Sequence, residues 1–440
     1  MSTSNSPSCS APGPDDPYDI NVDKDTLHKL AQWQLQYGDI LCVKPLRRES
    51  PSIVLNHPDP VRHVLIGNHR NYAKGVGFER VAMLLGNGII VSDGEFWRSQ
   101  RRMMQPAFHK SVIARMSAMM HECNFRKLAQ WSDKASRSVA VDVTHDMSEL
   151  ALEVILRALF SDDLDRLIDN CGENPFALLV DDVTRDLKLA MRFRALTKHV
   201  SEIVLARRKQ NRIEPDFLSL MMEARDKLTG EPMTDKALID EVMTIIVAGH
   251  ETTAGTLNWA WYLLSQHPEV EQAMHAEVDS LTADPRYEDL ESLSYTRQLI
   301  DETLRLYPPV WLFSRKAIAD DTLVHGESQF SVTAGTNVFL CPYLLHRDER
   351  FWSEPDRFEP MRFQQTTGKA RNYQAYFPFS LGSRRCIGEF FSMVDMQLHI
   401  GMLARHVSLR HVPGIPVDIE PLINLRSQNS IMMMPVLRHS

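Results

Sequence analysis

The sequence predicts a mostly α-helical α+β fold, a large helical domain with a smaller β-rich region. Three observations point to it. Val141 to Phe160 and Thr184 to Arg207 carry apolar residues at three- and four-residue spacing, the period of helices with one buried stripe. The short runs Ile40-Leu41-Cys42-Val43 and Ser52-Ile53-Val54-Leu55 read as strands of a small N-terminal sheet. A mixed segment from Val310 to Tyr343 contains strand-like Thr336-Asn337-Val338-Phe339-Leu340, entered through a turn at Ala334-Gly335.

The chain has 440 residues, 43% hydrophobic and 24% charged, enough for a large core. No repeat or Gly/Ser linker divides it, so residues 1–18 read as a disordered polar tail and 19–440 as one domain. A formal charge of −8 argues against a nucleic-acid partner. The first eighteen residues hold neither an apolar signal core nor a membrane span, so a cytoplasmic location is expected. Six scattered cysteines without Cys-x-x-Cys spacing disfavour a disulfide frame or a zinc ribbon.

One cysteine stands apart. Phe379-Ser380-Leu381-Gly382-Ser383-Arg384-Arg385-Cys386-Ile387-Gly388 places Cys386 in a cationic, Gly-punctuated loop just before a helical run. Gly382 and Gly388 let the backbone bend, the following helix aims its first N–H groups at the sulfur, and Phe379 shields it. A thiolate protected in this way suits a haem iron that must cleave O–O bonds.

Turn residues at Gly230-Glu231-Pro232 and His267-Pro268 bracket a run from Thr234 to Gln266, about 50 Å long as one helix. Its middle reads Ala248-Gly249-His250-Glu251-Thr252-Thr253. A glycine inside a helix costs about 1 kcal/mol relative to alanine, so Gly249 needs a reason, and room for dioxygen would supply one. Ala248 and Thr252 share a face that Gly255 and Thr256 continue. His250-Glu251 opens like a zinc-protease helix, but Ala254 stands where the second histidine is required, which removes that reading and leaves His250 packed or solvent-facing. Further on, Glu302 and Arg305 lie three apart on one helical face and can pair.

Phe379, Gly382, Arg384, Cys386 and Gly388 match all five fixed positions of the haem-binding pattern of the cytochrome P-450 family, which this chain resembles from about Tyr37 onward. Ser392 and Asp395 replace the alanine and glutamate that usually follow in that family. The resemblance implies haem b between a long distal helix and a proximal cysteine loop, with Cys386 as the iron ligand. It implies Ala248 and Gly249 beside the haem, Thr252 as hydrogen-bond donor to dioxygen and Glu251 as proton source through water. Arg362 would complete a structural network with Glu302 and Arg305. Trp97, Arg101, Arg315 and Arg384 would hold the haem propionates. By the same analogy Phe78, Val81, Leu85, Ile245, Val310, Trp311 and Phe313 flank the distal face, an apolar lining suited to a fatty-acyl, terpenoid or polyketide-like molecule.

The implied activity is haem-thiolate monooxygenation with O2. The chain holds no flavin or iron–sulfur module, so electrons from NAD(P)H must arrive through a separate ferredoxin or flavodoxin with its reductase. Arg98, Arg102, Lys110 and Arg385 form a basic patch that would steer such an acidic donor. A peroxide-driven or isomerising enzyme, or a haem-based sensor, is the alternative, although Glu251-Thr252, which such peroxide-driven or isomerising members often lack, is intact.

Overall fold

The computed structural model describes residues 10–181, 187–364 and 373–438. Its largest element is the helix Asp235–Gln266, capped by Thr234, whose side chain accepts the Ala237 N–H. The helix Val143–Phe160 lies along it, begun by Asp142, which accepts the His145 N–H at 3.1 Å. Both are apolar over most of their circumference, so each is buried among other helices rather than laid on a surface. The expected helix Thr184 to Arg207 is found as Leu187–Gln210, with residues 184–186 outside the described residues.

A five-stranded sheet runs in the order Ile40–Val43, Ser52–Leu55, Asn337–Leu340, Phe313–Ala317, Tyr72–Lys74. Ser52–Leu55 and Asn337–Leu340 pair parallel, and the other neighbours are antiparallel. The N-terminal strands and the mixed segment after Val310 therefore share one sheet. Its register sets Lys74 opposite Arg315.

Residues 10–18 differ from the disordered tail expected there. Ile40–Val43 is an edge strand, and the tail pairs with its free side: Cys42 N–H donates to the Pro12 carbonyl at 2.8 Å, and just past the strand Tyr18 N–H donates to the Lys44 carbonyl at 2.9 Å. Residues 1–9, Cys9 included, lie outside the described residues. Cys42 is disulfide-bonded, although the scattered cysteines disfavour a disulfide frame. Cys123, Cys171, Cys341 and Cys386 are free. Among the described residues no helix is long and apolar enough to cross a membrane.

Candidate active site

Gly382–Arg384 make one 3-10 turn, and the Cys386 N–H donates to the Phe379 carbonyl at 2.9 Å, which closes the thiol loop. Gly382 sits at φ 70°, and a Cβ there would stand 2.1 Å from the Leu65 carbonyl oxygen, so only glycine fits. Gly388, at φ −86°, is not in a glycine-only conformation. It is the N-cap of the helix Glu389–His406, and its N–H and that of Glu389 point at the Cys386 sulfur. The thiol keeps some accessible surface, yet the protein massed around it raises its pKa by desolvation while those two N–H groups pull the other way. Phe379 packs at the rim of the main core.

A second cluster lies where strand and helix ends meet. Lys74, Arg315 and Arg384 share one neighbourhood with a single carboxylate, Asp93. Arg384 ion-pairs with Asp93, donates to the Ser92 carbonyl at 3.2 Å, and lies 4.3 Å above the Trp97 ring. Burial pushes all three cations below their usual pKa, Arg315 to about 10; Arg315 and Arg384 add repulsion at Lys74, Arg384 at Arg315, and Arg98 at Arg384. Like charges paired across strands, as Lys74 and Arg315 are, destabilise a sheet unless something neutralises them. Three cations against one carboxylate leave about two positive charges to be matched, the charge of two carboxylates. Sulfur donor and dianion site together fit haem, whose ring carries two propionates. Arg101 is not in this group: it forms no ion pair among the described residues, and its electrostatic neighbour is Cys386. Lys74 and Asp93 are members that sequence reasoning misses.

The distal helix brings the expected pair to adjacent but divergent faces. Thr252 Oγ1 donates back to the Ala248 carbonyl at 2.7 Å, and Thr256 Oγ1 to that of Thr252 at 2.9 Å. Glu251, exposed, accepts a hydrogen bond from the Asn424 amide. Gly249 has a packing role against the neighbouring helix. A Cβ on it would come 3.0 Å from the Ile155 side chain, so the missing side chain lets helices Asp235–Gln266 and Val143–Phe160 close together. His250 is packed: its Nε2 is 2.7 Å from Ser148 Oγ, and burial lowers its pKa to about 4.

Glu302, Arg305 and Arg362 form one buried network. Arg305 donates to both Glu302 oxygens at 2.7 and 2.8 Å, and Arg362 Nε to Glu302 Oε1 at 2.9 Å. The remaining Arg305 donors reach the carbonyls of His346, Pro355 and Arg357. His346, unforeseen from sequence, accepts the Phe377 N–H at Nε2 and so donates from Nδ1 to the Arg305 carbonyl.

The expected substrate walls are only partly found. Leu85 and Ile245 are buried, while Val81 packs partly against the same core. After the helix Phe78–Leu85 the chain is clamped to the long helix: Asn87 N–H donates to Asp240 at 3.0 Å and Ile89 N–H to Glu241 at 2.8 Å. Phe78 lies under the Lys74 ammonium and Phe313 under the Arg315 guanidinium. Val310 is 37% exposed. Trp311 is not a wall: it is 0% exposed, and a side chain without accessible surface cannot line a cavity. Its indole N–H is spent on the Leu422 carbonyl at 2.7 Å.

The expected basic patch is largely neutralised. Arg98 pairs with Glu95, Arg102 with Asp226 at 3.2 Å and Arg385 with Glu389, while Lys110 lies over the Phe390 ring.

A thiol facing helix N–H groups, a dianion site, and a long helix with a hydroxyl and an acid at its centre define a haem-dependent oxygenase. The comparisons with known proteins agree. Residues 19–433 match the Cytochrome P450 family model. The chain is 34% identical over 400 residues to cyclooctatin synthase of Streptomyces melanosporofaciens, covering 86% of this chain and 85% of that one. It is 33% identical to cyclooctat-9-en-7-ol 5-monooxygenase of the same organism, covering 88% of each. Pentalenene oxygenase of Streptomyces avermitilis is 30% identical, covering 83% of each. The chain belongs to the cytochrome P450 family and is a haem-dependent monooxygenase that uses O2 and a redox partner.

Proposed function

We propose that this enzyme oxygenates a terpenoid at a C–H bond or double bond. The support is that bacterial relatives of matching length are named for oxygenating pentalenene and cyclooctat-9-en-7-ol. For hydroxylation the balance is substrate C–H plus O2, two electrons and two protons, giving C–OH and water. NAD(P)H is the electron source, and a ferredoxin or flavodoxin with its reductase the carrier. We place the reaction in the cytoplasm.

Haem, when bound, supplies the activation of dioxygen that no side chain provides, and a thiolate ligand favours O–O cleavage. Cys386 would hold the iron, and the Gly388 and Glu389 N–H groups would favour its sulfur as an anion. Lys74, Arg315 and Arg384 would hold the propionates. Thr252 has its proton on the Ala248 carbonyl, which leaves its oxygen lone pairs free to accept from water. Glu251 stands at the solvent side and passes protons inward through that water. Adjacent positions lie about 100° apart around a helix, so the two side chains work through water rather than by contact.

A spin-state titration of the haem-loaded enzyme with cyclooctat-9-en-7-ol, pentalenene and lauric acid tests the substrate class. Saturable shifts with the two terpenoids and none with the fatty acid are expected. A shift with lauric acid alone contradicts a terpenoid substrate.

A further inference from the structure

The acid at the centre of the long helix is held from outside that helix. The strands Ile419–Pro421 and Leu425–Ser427 form a hairpin, tied by a Glu420–Arg426 ion pair at 3.0 Å. Its second strand runs along one face of the helix. Glu251, Gly255 and Asn258 stand at i, i+4 and i+7 on that face. Asn424 donates to Glu251 Oε2, the Leu425 carbonyl lies 3.9 Å from where a Gly255 Cβ would be, and Asn258 Nδ2 is 3.3 Å from Ser427 Oγ.

The hairpin is itself fixed to the segment after the Glu302–Arg305 helix. Leu425 N–H donates to the Pro309 carbonyl at 2.8 Å, and the Trp311 indole to the Leu422 carbonyl at 2.7 Å. The buried Trp311, which does not line a pocket, thus anchors the turn that carries Asn424. Glu251 is exposed, and among the described residues no cation pairs with it, so Asn424 is what restrains a side chain with three free torsions.

We propose that Asn424 is a positioning residue for Glu251, holding its carboxylate where it hands protons to the water beside Thr252. This rests on the reading of Glu251 as the proton source. A typical side-chain hydrogen bond contributes a factor of about two to ten in the population it favours. Losing it lets the acid sample other rotamers and slows proton delivery without touching haem or substrate.

The test uses the haem-loaded enzyme with spinach ferredoxin, its reductase and NADPH, in the presence of cyclooctat-9-en-7-ol. NADPH oxidation and peroxide release are followed in H2O and D2O, and neither readout requires that this alcohol be the native substrate. Asn424→Ala is expected to slow NADPH oxidation about tenfold, to change the solvent isotope effect in the direction of Glu251→Gln, and to add nothing to Glu251→Gln in the double variant. Asn424→Gln, which keeps an amide donor, should recover part of the rate. Asn424→Asp, which sets a second carboxylate against the first, should be at least as slow as Asn424→Ala. The carbon monoxide spectrum should stay as in the parent. If Asn424→Ala matches the parent while Glu251→Gln is slow, or if the two effects add, the positioning role is wrong and the proton-source reading survives. If Glu251→Gln itself matches the parent, the proton-source reading fails, and this inference with it.

Discussion

His346 Nε2 accepts the Phe377 backbone N–H at 3.1 Å, and through that bond the Glu302–Arg305–Arg362 network meets the strand of chain entering the thiol loop. The same imidazole donates to the Arg305 carbonyl, so one buried ring links the ion network to the loop that presents Cys386. Removing Glu302 would leave the buried Arg305 guanidinium without its carboxylate and take from Arg362 the nearer of two, Glu359 lying at 3.5 Å, a loss of about 3–5 kcal/mol. Glu302→Ala and Arg305→Ala should yield protein without stable haem. His346→Ala should fold but lose haem faster, at a cost of about 1–3 kcal/mol. Haem content per chain and the rate of haem transfer to apomyoglobin check both. Parent-like retention in all three would contradict the network's role.

Much of this was open to sequence reading because it is local. The thiol loop, the bounds of the long helix and the Glu302–Arg305 pair depend on spacings of a few residues. Lys74, Asp93, His346 and Asn424 depend on partners far along the chain: Lys74 faces Arg315 only once the sheet register is known, and Asn424 reaches Glu251 across 173 residues. Trp311 shows the opposite failure. An apolar residue reads alike whether it walls a pocket or fills the core, and its burial together with the Leu422 carbonyl decides for the core. Gly249 has a similar ambiguity, resolved by Ile155 on the neighbouring helix.

Stability should depend on Glu241 at neutral to alkaline pH. Burial raises its pKa to about 8, against the Ile89 N–H, which lowers it. The folded chain therefore keeps a proton that the unfolded chain has lost above about 4.3. Stability is full below that value and falls as pH rises towards 8. Asp395, raised by burial to about 7, acts in the same direction. His250 and His346, both lowered by burial, act oppositely and only below about 6.5. Glu241→Gln should flatten the fall in urea midpoint between pH 6.5 and 8. An unchanged slope would show that Glu241 is ionised in the fold.

Thr252→Ala should leave haem binding intact and lower product formed per NAD(P)H by about tenfold or more, with electrons diverted to peroxide. Thr252→Ser, which can still donate to the Ala248 carbonyl, should retain most of the coupling. Parent-like coupling in the alanine variant would remove Thr252 from the proton path.

Electron transfer should be only weakly sensitive to salt. Arg98, Arg102 and Arg385 are each matched by a carboxylate, so the donor-facing charge is smaller than the sequence implies. Raising ionic strength should slow reduction by a ferredoxin a few-fold at most. A drop of a hundredfold would mean that these pairs open when the donor docks.

Oxygen activation by this enzyme depends most on the sulfur of Cys386. The most direct measurement is the absorption of the reduced, carbon monoxide-bound protein beside that of Cys386→His. A red-shifted band in the parent, replaced in the variant by the band of a histidine-bound haem, is the predicted result. The same spectrum in both proteins would contradict it.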